Sequence, residues 1–329
     1  MEHTLDEIVV VPRNGYVNRL QAWASATILA AQLDVPLRVV WETEDAAPAA
    51  PDQLFASALI ARRFLDRASL DARLGSPHQH LPRYLTIDME RRLVVLAGHD
   101  RGEQVFMPEL GGALGDQSRP TTLLIIAGGK FHVDSSEDFQ AQRRLFYRRM
   151  TWSTDLDTSF NHEVAGHGSY VALHVRGTDR SRQAPPARTI RAGLDRLRDL
   201  TAERSLFIAA DTAVGRDRWS SEADSLGFRP WSAREIDFDR SNAGSGVDAL
   251  LDWRLLGASR GVVYTGASSF GEEAAIATGH LEACVPLSAT SGRQRVRAAS
   301  ELGRAAITYP RRQGWLGGST RDTLPAEES

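Results

Sequence analysis

The sequence predicts an α/β protein made of two Rossmann-like domains that face each other across a central cleft. Three observations carry that expectation. The chain opens with a strand-like run, EIVVV at 7–11, broken by PRNGY at 12–16. Alanine-rich helical spacing over 17–33 and a second apolar run, LRVVW at 37–41, complete a βαβ unit. The same alternation restarts with VALHV at 171–175. It continues with strands at 205–210 and 261–265 between helices at 189–200, 219–226, 247–259 and 271–278. At 329 residues the chain has room for two such domains, expected at 1–150 and 151–316, with a polar tail at 317–329.

The remaining segments fill in that plan. The stretch 44–51 is rich in Ala, Pro and Asp and reads as a loop, followed by a helix over 55–65. A hairpin on the sheet edge is expected at 85–96, and 100–120 is irregular. LLII at 123–126 is a buried strand that exits through AGGK, and 139–150 is a basic helix. Residues 151–168 show little periodicity and read as the connection to the second domain. A polar loop is expected at 234–246.

Composition excludes several classes. A hydrophobic content of 42% with 25% charged residues is that of a globular chain. The net charge of −3 offers no basic field for nucleic acid. Of the 39 Lys and Arg only Lys130 is lysine, which suggests a GC-rich, bacterial coding sequence. Cys284, the single cysteine, rules out a disulfide framework and a thiolate metal cage, and is expected as a core thiol. His132, His162, His167 and His280 lack the spacing of a zinc site. The N-terminus is polar and no apolar run approaches a membrane span, so a cytoplasmic protein is expected.

Seven places have the residue types for chemistry. VALHV ends in Arg176-Gly177-Thr178-Asp179-Arg180 at the carboxyl end of its strand, where open α/β sheets bind ligands. Arg176 there is either a fork for phosphate, with Asp179 orienting it, or half of a strand-end salt bridge. Gly15-Tyr16-Val17-Asn18-Arg19 is either an ordinary βα turn or a close approach to an anion at a helix start; its one glycine is not a dinucleotide fingerprint. Ser268-Ser269-Phe270-Gly271 opens a helix and offers either N-caps or an anion site. If a phosphate binds there, Glu272 and Glu273 should point away. Asp248 and Asp252 share a helix face, and a carboxylate there suits the paired N1–H and N2–H donors of guanine. Asp211 ends the strand at 205–210 as a turn former or a ligand contact. The D-x-D pairs Asp155/Asp157 and Asp237/Asp239 have the shape of a metal–diphosphate motif, although neither clearly follows a strand.

Together these pieces resemble the fucosyltransferase superfamily of α1,2-, α1,6- and protein O-fucosyltransferases, whose bacterial nodulation member is soluble. The hallmark H-x-R-R-x-D is similar to His174-Val175-Arg176-Gly177-Thr178-Asp179, the early G-x-x-N-R loop matches Gly15 to Arg19, and the strand ending in A-D matches Ala210-Asp211. The later acidic helix, apolar strand and S-S match Asp252 through Ser269. The resemblance implies a GT-B fold, a GDP-sugar donor such as GDP-fucose, inversion, and no metal or prosthetic group. It implies that Arg176 holds the β-phosphate, that His174 and Asp252 contact guanine, and that Gly15, Asn18, Arg19, Ser268 and Ser269, with Phe270 and Asp211 beside them, contact the rest of the donor. The acceptor would be a glycan, a small molecule or a peptide. Two positions depart from the pattern. Gly177 replaces the second arginine, and 181–186 lacks the acid that serves as base in α1,6 members, leaving Asp179, Asp237 and Asp239 as candidates. The alternatives are a GT-B enzyme for another nucleotide sugar and an inactive nucleotide or glycan binder.

Overall fold

A computed structural model describes residues 5–74, 86–88, 93–97, 122–131, 136–176, 185–233, 242–266 and 268–287. Asp179, Asp237, Asp239, His132 and the tail at 317–329 lie outside the described residues.

The first sheet has strand order β2-β1-β5-β4-β3, formed by β1 (Glu7–Pro12), β2 (Leu37–Val39), β3 (Thr86–Asp88), β4 (Leu93–Ala97) and β5 (Thr122–Ala127). All neighbours are parallel except β3 on β4, so the expected hairpin does close the sheet edge. β1, an interior strand between β2 and β5, alternates its side chains between two cores. Ile8 and Val10 enter the larger one, and Val9 and Val11 pack with Leu124, Ile126 and Leu70 on the other face.

The second sheet, order β10-β9-β6-β7-β8, is wholly parallel. It contains β6 (Val171–Val175), β7 (Ser205–Ala210), β8 (Arg229–Trp231), β9 (Val262–Thr265) and β10 (Val285–Leu287). On central β6, Val171, Leu173 and Val175 bury against one face, whereas Ala172 joins the larger core on the other. His174 shares the face of Ala172, which turns it toward the first sheet's side of the molecule.

Helix α1 (Tyr16–Leu33) is buried on nearly every side; alanines and large apolar residues supply most of that surface, and the polar Arg19, Gln21 and Ser25 are buried with hydrogen-bond partners. It lies between the first sheet and the helices of the second half. The short helices α2 (Pro51–Leu54), α3 (Ser57–Arg63) and α4 (Arg67–Leu74) follow. The helix expected at 55–65 is α3, shorter by two residues at each end. Phe55 leaves the helical path, bridges to Trp152 and stacks on it, 5.7 Å between ring centroids.

Residues 151–168, expected as a connection, contain α6 (Thr154–His167), which follows α5 (Ser136–Arg149). Ser153 caps α6 by accepting from the Leu156 N–H. Asp155 and Asp157 are the acidic first turn of this helix, and Asp157 pairs with Arg254 at 2.7 Å. The D-x-D there is thus a helix start rather than a metal–diphosphate motif.

The second half continues with α7 (Ala187–Leu200), α8 (Ala213–Ser225), α9 (Ala243–Ala258) and α10 (Ser269–Thr278). The large core runs without interruption from β1 and α1 through Trp152 and Trp253 to α9 and α10. Within it Glu273 of α10, fully buried, accepts from Gln21 of α1 at 2.7 Å and from Tyr147 of α5 at 2.7 Å, and pairs with the Arg143 guanidinium. Its neighbour Glu272 reaches Lys130 at 2.5 Å. Cys284 is half-buried rather than in the core, and burial raises its thiol pKa.

Candidate functional site

The carboxyl ends of the two sheets meet over a cavity of about 390 Å³. One wall comes from the first half, through Gly15, Asn18 and Asp45. The other comes from the second, through His174, Arg176, Asp211, Asp252, Ser269 and Phe270. Eight positions expected from the sequence therefore converge here from five separate segments of the chain.

Three helices, α1, α9 and α10, turn their first turns to this cavity. First-turn N–H groups have no partner within their own helix, and the helix dipole adds partial positive charge. At α1 the N-cap is Gly15, which has no side chain to satisfy those groups. A Cβ on Gly15 would meet nothing nearer than the Ala46 carbonyl at 3.9 Å. The protein itself leaves that space open toward the cavity. At α10 the N-cap Ser268 is buried, makes no side-chain cap, and its Oγ has no partner among the described residues. Ser268 does not line the cavity, whereas Ser269 and Phe270 do.

Arg176 follows β6 directly. Its N–H donates to Thr265 Oγ1 at 3.1 Å, and that hydroxyl is 3.4 Å from the His174 carbonyl, which ties the ends of β6 and β9 together. The His174 ring stacks on Phe270 at 5.1 Å. Burial, and then the Arg176 charge, lower the His174 pKa from 6.5 to about 4, so the ring is neutral at physiological pH. The unfolded chain binds this proton near 6.5, the folded chain only near 4. Stability from His174 is therefore complete above pH 6.5 and is lost as pH falls toward 4. Moving from pH 7 to pH 5 should cost about 2 kcal/mol through this group alone. Urea unfolding at both pH values should show that cost in the native chain and a smaller one in His174→Asn.

Asp252 is buried, lines the cavity, and has an Oδ1 without a partner among the described residues. Burial, then Asp248, push its pKa well above the usual carboxylate range. An acid held that way in a cavity wall fits a ligand that supplies hydrogen-bond donors.

Arg19 departs from the expectation. It is fully buried beside the cavity rather than in its wall. Its Nε donates to the Asn14 carbonyl at 2.7 Å, its Nη1 to the Glu42 carbonyl, and its Nη2 lies 3.5 Å from Glu44. The guanidinium also sits 5.0 Å over the Trp41 ring. Burial lowers its pKa to about 10, which leaves it charged. Arg19 thus shapes the loop before α1, where Asn14 takes a left-handed φ of 67°.

The sequence reading missed Tyr16, Gly246 and Asp45. The Tyr16 hydroxyl accepts from the Ala49 N–H at 2.8 Å, and its ring presses on the first turn of α9. A Cβ on Gly246 would fall 2.0 Å from that hydroxyl, so only glycine lets the two walls approach this closely. A glycine four residues before a strand-facing helix stripe was the only available signal.

Solved structures of similar shape clarify this arrangement. A variant of Arabidopsis thaliana FUT1 in complex with GDP aligns at TM-score 0.59 with 15% identity, covering 84% of this chain and 69% of that one. NodZ α-1,6-fucosyltransferase soaked with GDP-fucose aligns at 0.54 and 15%, covering 82% and 92%. The chain has the fold of the GT-B fucosyltransferases. POFUT1 in complex with GDP aligns at 0.51 and 12%, covering 86% and 98%. No family model and no curated sequence matches the chain. The GT-B fold places this cavity between its two Rossmann-like halves, as the sequence leads one to expect. Among the described residues no helix is long and apolar enough to cross a membrane.

Proposed function

We propose that this GT-B chain is an inverting, metal-independent glycosyltransferase that moves a sugar, fucose first, from a GDP donor to an acceptor hydroxyl. The observation that carries the reading is the pairing of Arg176 with the first turns of α1, α9 and α10 around one cavity. Charge grows on the β-phosphate as the sugar bond breaks, and a guanidinium with preoriented N–H groups stabilises that charge. The GDP and GDP-fucose complexes of the similar structures support the choice of donor.

In this reading Arg176 holds the β-phosphate. Gly15, Asn18 and Ser269 approach the diphosphate with backbone and side-chain donors, and Ser268 has an unspent hydroxyl behind them. Asp252 accepts N1–H and N2–H of guanine, with neutral His174 and Phe270 forming a flat wall beside the nucleotide. Asp211 stays on the donor side, in the cavity wall with Arg176. Arg19 acts only through the loop that it braces. Glu272 and Glu273 are engaged by Lys130 and Arg143 and keep their charge off the phosphates.

Thermal shift with GDP, UDP and dTDP tests the nucleotide. GDP should raise the melting temperature most, and a preference for UDP would overturn the role given to Asp252. Burial raises the Asp252 pKa, and only the ionised carboxylate accepts both guanine donors, so GDP affinity should increase with rising pH in calorimetric titrations, an effect that Asp252→Asn should abolish. Gly177 and the acid-free stretch at 181–186 favour one second reading, a binder without turnover. Tight GDP binding with no GDP released from GDP-fucose would select it.

A further inference from the structure

An inverting transfer needs a proton acceptor on the side of the sugar away from the departing phosphate. The donor reading just given anchors that phosphate on Arg176 and the nucleotide on Asp252, both of the second half, with Gly15 and Asn18 reaching the diphosphate from the start of α1. The part of the wall not engaged with the donor is the rest of the first half's contribution. Among the described residues, that wall's cavity-lining members are Gly15, Tyr16, Val17, Asn18, Asp45 and Ala46. Asp45 is the one carboxyl. The Tyr16 hydroxyl is already bonded to the Ala49 N–H, and burial raises its pKa, which keeps the phenol protonated.

The geometry points to Asp45 as the catalytic base that takes the acceptor's hydroxyl proton. Asp45 is exposed, and it forms no hydrogen bond or ion pair among the described residues. It is nevertheless held in place. Glu44 and Ala47 exchange backbone hydrogen bonds of 3.2 and 2.8 Å, which closes a two-residue turn with Asp45 and Ala46 at its tip. Glu44 is pinned by Arg13 and lies 3.5 Å from the buried Arg19. Arg13 also binds Glu42 at the end of the same segment. The turn that presents Asp45 thus rests on the guanidinium that shapes the loop before α1. The other two cavity carboxyls belong to the donor wall. Asp252 is buried with its own unmet need for donors, and Asp211 ends β7 close enough to His174 to act on its charge.

The step balances without a further reagent. The acceptor oxygen forms a bond to the anomeric carbon, its proton passes to an Asp45 carboxylate oxygen, and the bond from that carbon to the β-phosphate oxygen breaks with its electron pair on GDP.

This inference rests on the proposed glycosyl transfer, and its test separates the two. GDP release from GDP-fucose is measured for the native chain and for Asp45→Ala and Asp45→Asn, in water and with added azide, alongside the dissociation constant for GDP. Water must lose a proton on attack, and azide need not. Both variants should bind GDP as the native chain does and lose at least about 100-fold in release to water. Azide should restore release in Asp45→Ala, with formation of the glycosyl azide, and have little effect on the native chain. Unchanged release in water by the variants overturns the role of Asp45 and leaves the transferase reading standing. Loss that azide does not rescue makes Asp45 a structural residue and likewise overturns it. No release by the native chain in either medium sinks the transferase reading and this inference with it.

Discussion

Arg176→Ala is expected to lower turnover of GDP-fucose by about 10²–10³-fold, the effect of removing one preorganised donor from a developing anion. GDP affinity should fall too, by roughly 1.5–3 kcal/mol, because a charge-assisted contact to the diphosphate is lost in the bound ground state as well. Arg176→Lys should recover part of the affinity and less of the rate, since an ammonium cannot reproduce the planar fork. Steady-state kinetics and calorimetric titration with GDP check both quantities. A variant with native rate and native affinity would remove the basis of the proposed function. The fold should be little affected, because Arg176 is half-buried at the strand end and its backbone N–H, which bonds to Thr265, remains.

The largest effect on stability is expected at Glu273. Glu273→Ala leaves Arg143, only 2% exposed, without its counter-charge, and deprives Gln21 and Tyr147 of their acceptor. Breaking one side of a buried pair typically costs about 3–5 kcal/mol. Urea unfolding should show a loss of that order. The double variant Arg143→Met with Glu273→Leu should be far less damaged, because desolvating the pair offsets much of its attraction. If the double variant is as unstable as the single one, the cost lies in packing and not in the stranded charge. The Tyr147 phenol is buried and its pKa is raised well above the ordinary value by burial and then by Glu273, so it remains a donor to the carboxylate throughout the accessible range.

The longer strands were legible because each is a short run of β-branched and aliphatic residues that ends at Gly, Pro or a charged group, whereas the three-residue edge strands β8 (Arg-Pro-Trp) and β10 (Val-Pro-Leu) carry no such pattern and were not expected. The wholly parallel second sheet buries both faces of VALHV, which is why that run lacks alternation. Helix α6 was not legible because its apolar stripe is thin: only Leu156 is fully buried, and Phe160 and Val164, which follow at four-residue spacing, are only partly buried against the core. Its real signal was local: Ser153 followed by acids at 155 and 157, an N-terminus whose acidic turn has the same spelling as a metal motif.

At the site, the strand-end residues His174, Arg176 and Asp211 could be located from sequence, because a parallel sheet delivers its carboxyl ends to one edge. Asn18 and Arg19 could not be told apart. Successive helix residues diverge by about 100° around the axis, and only the packed fold reveals that Asn18 meets the cavity and Arg19 the core. Asp45 sat in a stretch readable only as loop, and its meaning depends on which wall that loop closes. Gly246 was assigned to a polar loop, whereas it belongs to the first turn of α9 and is matched to a tyrosine some 230 positions away.

The unbroken core that joins α1 and α5 to α9 and α10 limits how this molecule can admit and release its cargo. Swinging the halves apart as rigid bodies would expose Trp253, Ala274 and the Glu273–Arg143 pair to water together, and the apolar burial and the buried ion pair both oppose it. The change of sheet at residues 150 and 151 is therefore not a break in the core, because Tyr147 and Trp152 on either side of it belong to the same cluster.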